Sequence, residues 1–119
     1  IYKYMPFTHS LEKIKLFNND DLENYYNNNV FGGGIDLRKT ALSVYYVYSI
    51  YENTRKYGDM ALQFALIETG EIAQNIQLTA AASGILACDI GGFNKTLSEE
   101  LLNLDGQTNH VVHLTLLSK

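Results

Sequence analysis

An α+β domain with a sheet packed on one long central helix is what this sequence predicts, and three observations carry that reading. Residues 40–50 hold the densest run of β-branched and aromatic side chains: Thr40, Val44, Tyr45, Tyr46, Val47, Tyr48 and Ile50. Residues 59–83 hold the longest helical pattern, with Leu62, Ala65, Leu66, Ile72, Ala73, Ile76 and Ala80 recurring at spacings of three and four. Shorter signals fall around these two in the order ββ-α-β-α-β-α-β, without an internal repeat.

Residues 1–4 alternate and are aromatic, so they read as a strand. Pro6 and the polar residues 8–10 make a turn, and residues 11–16 return as a second short strand. Asn19 or Asp20 caps a short helix that runs through Tyr26, and the asparagine run at 27–29 stops it. Residues 30–34, with Gly32, Gly33 and Gly34, form a loop or sharp turn. The 40–50 run is apolar on both faces, which predicts a central strand. Residues 51–57 are a short helix or loop. Asp59 is placed to cap the long helix, with its acid near the positive end. Gly84 stands where a helix commonly ends. Gly70, in the helix interior, costs roughly 1 kcal/mol relative to alanine and points to close packing or a kink. Residues 85–90 make a strand leading into Gly91 and Gly92. Thr96 and Glu99 suit a capping box for a helix over 97–103, Asp105-Gly106 is a turn, and residues 111–117 close the sheet.

The 119 residues suit one domain, 46% hydrophobic, with enough apolar material for a core. A net charge of −4 and a pI near 5.2 argue against nucleic-acid partners and against a polybasic membrane surface. The apolar stretches at 41–51 and 78–90 are too short or too interrupted to span a bilayer, and no signal-peptide pattern is present. A single cysteine, Cys88, excludes an internal disulfide and a cysteine-rich metal cage, and makes a reducing, cytoplasmic location the default. Cys88 itself reads as a small buried hydrophobe. The start at Ile1 points to processing, a fragment, or a missing upstream part.

Generic site motifs fail. The glycine triplet precedes a strand, whereas a phosphate loop follows one and opens a helix. His110 and His113 stand three apart in a strand, which puts them on opposite faces and argues against a metal pair. Two local patterns are more specific. Lys56-Tyr57 follows the strongest strand, and an ammonium beside a phenol lowers the cost of the phenolate, so the tyrosine can work as a base. Taken alone, such a pair is more often a solvated lysine beside a packed tyrosine. Asp89-Ile90-Gly91-Gly92-Phe93 places paired glycines at a strand end, where a flat ligand can approach free backbone N–H groups. Taken alone, this is more often a simple turn.

Together these pieces resemble a known family. Lys56-Tyr57-Gly58, then Ile67-Glu68-Thr69-Gly70-Glu71-Ile72-Ala73-Gln74-Asn75, then Leu78 with Ala80-Ala81-Ala82 and Gly84, then Ile90-Gly91-Gly92-Phe93, then Leu101-Leu102-Asn103-Leu104-Asp105-Gly106 resemble the C-terminal half of the SagB-type dehydrogenases, which are nitroreductase-like flavoproteins. Ile1-Tyr2-Lys3-Tyr4 and Leu11-Glu12 resemble the stretch before that family's central strand, so the likeness covers nearly the whole chain as a partial nitroreductase-like domain. The resemblance implies FMN bound at a homodimer interface. It implies oxidation of thiazoline or oxazoline rings in a ribosomally made precursor peptide, within a complex that holds a cyclodehydratase. It casts Lys56 and Tyr57 as the catalytic pair that takes the substrate proton. It lays Ile90, Gly91 and Gly92 against the isoalloxazine ring. It also makes the long helix a scaffold and dimer surface.

The chain departs from that pattern in three places. The arginine-rich segment that grips the FMN phosphate is absent, the only arginines being Arg38 and Arg55. The Pro-Ser segment that lines the flavin from the partner subunit is absent too. Asp59, Met60, Ala61 and Leu62 stand where arginine and aromatic residues usually follow the Lys-Tyr-Gly. A missing N-terminal half or second chain is therefore expected to complete the site. A small-molecule flavin oxidoreductase and a non-catalytic scaffold of a peptide-modifying complex remain the alternatives.

Overall fold

The computed structural model describes residues 1–31 and 34–119. The chain opens with an antiparallel hairpin, β1 (Tyr2–Met5) and β2 (Ser10–Lys13), in which Tyr4 lies opposite Leu11. The second strand is shorter than the sequence pattern suggests, ending at Lys13 where the alternation breaks. Helix α1 (Asn19–Asn28) follows. Its cap is Asn18, whose side chain accepts from the Asp21 N–H, so neither Asn19 nor Asp20 has that role. Asp20 and Asp21 sit instead in the first turn, where the helix dipole favours them.

The main sheet of the described chain is antiparallel, in the order β3 (Leu42–Ser49), β5 (Asn109–Ser118), β4 (Leu86–Ile90). The strand predicted to be central, β3, is thus an edge here, and β5 lies in the middle. The reason is geometric. Side chains project from the faces of a sheet while pairing runs along its edges, so burial on both faces says nothing about neighbours on both sides. Tyr46 and Tyr48 are buried on one face of β3 and Tyr45 is mostly covered on the other, yet nothing pairs with the outer edge among the described residues. β5 carries the most buried side chains, Val111, Leu114 and Thr115.

Between β3 and β4 run helix α2 (Ile50–Tyr57), a 3-10 turn (Gly58–Met60) and helix α3 (Ala61–Ala82). At 22 residues α3 is about 33 Å long. Asp59 lies inside the 3-10 turn and makes no capping bond to α3, because the chain enters the helix through that turn. Gly58, at φ 54°, makes the sharp exit from α2 that an L side chain resists. Gly70 admits no close neighbour among the described residues, since a Cβ built there meets nothing within 4 Å.

Helix α4 (Lys95–Leu101) is capped by Asn94, which accepts from the Leu97 N–H, and not by Thr96. Glu99 does not close a capping box. It is nearly buried, accepts from the Val111 N–H at 2.9 Å and pairs with Lys95 at 2.9 Å, tying α4 to β5. One face of the sheet packs Ile90, Leu114 and Leu116 against Leu97 and Leu101 of α4, Tyr25 of α1, and Leu37. The other face meets α3, whose buried Ala73 and Ala80 allow a close approach. Cys88 is exposed rather than buried. Of the glycine triplet, Gly32 and Gly33 lie outside the described residues, and Gly34 adopts φ 86°. No helix among the described residues is long and apolar enough to cross a membrane.

Candidate functional site

Lys56 and Tyr57 end α2, where Arg55 and Lys56 face the negative end of the helix. The Lys56 ammonium stands 4.8 Å from the centre of the Tyr57 ring. The neighbouring Tyr57 side chain raises the Lys56 pKa, with a smaller push from Glu68. The ammonium thus lies beside the phenol ring. Tyr57 meets Phe64 of α3 edge-on, with centroids 5.3 Å apart, and stays 41% exposed. The pair is open to solvent, and two grooves of the described chain lie elsewhere. One, of about 400 Å³, runs between α1 and α4 beside Phe31. The other, of about 250 Å³, lies between α3 and the sheet at Tyr46 and Tyr48.

Ile90, Gly91 and Gly92 mark the end of β4. Ile90 is buried opposite Leu114, which anchors the segment in the core. The two glycines then serve different needs. A Cβ on Gly91 would meet nothing within 4 Å, so its backbone faces open space that a flat ring can approach. A Cβ on Gly92 would stand 3.3 Å from the Phe31 carbonyl, so Gly92 is small because a neighbouring loop is close. That loop is tied down by three contacts. The Phe31 N–H donates to the Gly92 carbonyl at 2.8 Å, Val30 bridges Phe93, and the Asn94 N–H donates to the Asn29 carbonyl. Asn29 is fully buried. Its amide donates to Ser98 at 2.8 Å and its carbonyl oxygen accepts from the Tyr45 hydroxyl at 2.9 Å. Burial raises the Tyr45 pKa far above the usual phenol value, which keeps it a donor.

Sequence reasoning missed a cluster directly before Ile90. Asp89 lies opposite Thr115, which donates to it at 2.6 Å. Gln77 of α3 donates to its other oxygen, and His113 stands 3.2 Å away. His113 reaches that place because it lies two residues before Thr115 in the regular part of β5; a β-bulge stands on its other side. Tyr46 pairs with His113 and Val47 with Val111, so Val112 is an extra residue. Tyr46 and Tyr48 share a face, and His113 and His110 stand opposite them with ring centroids 5.3 Å apart in each pair. The two histidines thus share one face, contrary to the opposite faces expected of a regular strand. The inserted residue reverses the alternation between them. The described residues hold no group of three potential metal ligands. A lone acid in an otherwise apolar strand, Asp89, was the available signal.

β3 and β4 run in the same direction on either side of β5, so α2 and the glycine segment leave from the same end of the sheet. No hydrogen bond or ion pair joins Lys56 or Tyr57 to Ile90, Gly91 or Gly92 among the described residues. The open side of Gly91 leaves room for a flat ring. A phosphate grip is not offered by Arg38, which pairs with Glu23 at 2.7 Å and lies over the Tyr26 ring.

Comparison with known proteins agrees with this architecture. A solved chain of the E. coli microcin synthetase McbBCD complex, with truncated pro-MccB17 bound, superposes with a TM-score of 0.85 at 24% identity, covering 99% of this chain and 43% of that one. The protein MJ1384 of Methanocaldococcus jannaschii, named as a nitroreductase, is 27% identical over 107 residues, 87% of this chain. The chain spans about half the length of that relative, 50%. A model of the nitroreductase family matches residues 10–116, so the chain, with its nitroreductase-like α+β fold, belongs to the nitroreductase family.

Proposed function

We propose that this chain forms part of an FMN-dependent dehydrogenase that oxidises thiazoline or oxazoline rings of a ribosomally made peptide to thiazoles or oxazoles. The observation that carries the reading is the Lys56–Tyr57 pair, an ammonium beside a phenol at the open end of α2. Aromatising an azoline removes a proton and a hydride. Bound FMN supplies the hydride acceptor. Tyr57 takes the proton, and Lys56 stabilises the charge that develops on its oxygen. Ile90, Gly91 and Gly92 lie against the flavin ring, with the core-anchored Ile90 holding the open backbone of Gly91 in place. The likeness to a chain from a synthetase complex with a truncated pro-peptide bound supports a peptide substrate and a modifying complex.

A second copy of the chain completes the site. Phe64, Ile67 and Leu78 are exposed along α3, and Gly70 lies open among them. Phe64 also touches Tyr57, so a partner on this stripe stands beside the catalytic pair. The phosphate grip comes from outside the described residues. A flavin oxidoreductase of small molecules is the second reading, favoured by the name that MJ1384 carries.

The test is to mix the whole protein with FMN and a peptide bearing one thiazoline. Loss of one hydrogen molecule per ring, followed by mass spectrometry, is expected. Lys56→Ala and Tyr57→Phe should each slow it roughly 10²–10⁴-fold while FMN still binds. Unchanged rates in both variants would remove the pair from the chemistry. Turnover of nitroaromatics alone would favour the second reading.

A further inference from the structure

We infer that Asp89 is a positioning residue, whose carboxylate, held by Gln77, Thr115 and His113, fixes the strand end that presents Gly91 to the flavin. The inference rests on the flavin reading above and goes further, in assigning a role to side chains that touch neither ring nor substrate.

β4 is an edge strand, so its last residues have a pairing partner on one side only among the described residues. Asp89 compensates. Thr115 donates to Oδ1 at 2.6 Å, the His113 Nε2 lies 3.2 Å from the same oxygen, and Gln77 donates to Oδ2 at 2.5 Å. The carboxylate is acceptor-only, so the single Thr115 hydroxyl proton is committed to it. The Tyr46 hydroxyl, 3.1 Å from Thr115, must then be the donor to Thr115. Burial, with a smaller effect of the Asp89 charge, raises the Tyr46 pKa and keeps that proton in place. A directed chain thus runs from β3 through β5 to the end of β4, and Gln77 ties the same carboxylate to α3.

His113 stands two residues before Thr115 in the regular part of β5, on the same face, so both side chains reach Asp89. Ile90, the next residue, has its side chain in the opposite face, buried in the core. The strand end is therefore gripped from both faces immediately before the backbone opens at Gly91.

The experiment uses the whole protein and three variants: Asp89→Asn, Gln77→Glu, and the two together. An asparagine at the first position removes the charge and keeps one acceptor oxygen in place of two, so the charge-assisted bonds from Gln77 and Thr115 cannot both survive. The double variant restores a donor–acceptor pair with its direction reversed. Asp89→Asn should speed amide exchange at Gly91 and Gly92 without FMN and weaken FMN binding about tenfold, the loss typical of a charge-assisted hydrogen bond. The double variant should recover both. Unchanged exchange and affinity in Asp89→Asn would overturn the inference. So would a loss of FMN affinity that the double variant leaves unrepaired, since that marks an effect of charge. Faster exchange at every amide, in step with a lower Tm, would also overturn it, as general destabilisation. If the unaltered protein binds no FMN, the flavin reading fails, and exchange at Gly91 and Gly92 alone decides whether Asp89 positions them.

Discussion

Replacing Asn29 with alanine should destabilise the fold by about 2–4 kcal/mol, although the residue belongs to no strand or helix core. The magnitude follows from its two side-chain bonds. Asn29 is 0% exposed, accepts from the Tyr45 hydroxyl and donates to Ser98. Removing the amide leaves the Tyr45 hydroxyl, in a largely buried place, without that acceptor, at about 1–3 kcal/mol. Losing the bond to Ser98 adds about 1 kcal/mol. Ser98 still donates to the Asn94 carbonyl, so its proton is not orphaned. Urea unfolding followed by circular dichroism would measure the change in midpoint, with the m-value checked for constancy. The decisive control is Tyr45→Phe. In that background no hydroxyl is left stranded, so Asn29→Ala should cost about 1–2 kcal/mol less than in the parent. A loss below about 0.5 kcal/mol, or strict additivity of the two substitutions, would refute the argument that Asn29 is held for buried hydrogen bonding. Asn29 also carries the loop that fixes Phe31 against Gly92, so FMN affinity should fall alongside stability.

Gly91→Ala should fold with stability within about 0.5 kcal/mol of the parent, because its Cβ enters open space, yet it should weaken FMN binding measured by flavin fluorescence. Equal FMN affinity in that variant would place the flavin ring elsewhere. Acid stability should depend on Asp105, exposed in the turn before β5. Its pKa falls from 3.8 to about 2, first through the hydrogen bond from Thr108 and then through the Asn109 and Gln107 N–H groups. A lowered carboxyl pKa stabilises the fold above the unfolded value, and that contribution disappears as pH falls from about 4 to 2. Asp105→Asn should therefore flatten the loss of stability over that window, and an unaltered pH profile would show that the turn contributes nothing there.

Local chemistry made much of this chain legible. The 3.6-residue period over 59–83 and the β-branched run over 40–50 became α3 and β3, because local helix and strand preferences leave a trace in the sequence, although Leu62, Leu66 and Ile72 of that period stand exposed. Adjacency also survived: Lys56 and Tyr57 are neighbours in the chain and partners in space. Helix caps were missed by small shifts, with Asn18 and Asn94 in place of the expected residues, since several polar side chains near a helix start compete for the same N–H groups.

What the tertiary structure decided is pairing. Strand order depends on edges that leave no mark on side-chain polarity, so β5 and not β3 stands in the middle. The bulge at Val112 is invisible in the alternation of β5, yet it puts His110 on the face of His113, and strand pairing with α3 packing makes a four-residue cluster from Gln77, Asp89, His113 and Thr115. Asn29, in what reads as the end of a polar run, is buried because Tyr45 and Ser98 converge on it from elements that are distant in the chain. Sequence carries the local energies, while the contacts that shape the glycine segment arise only when separate elements meet.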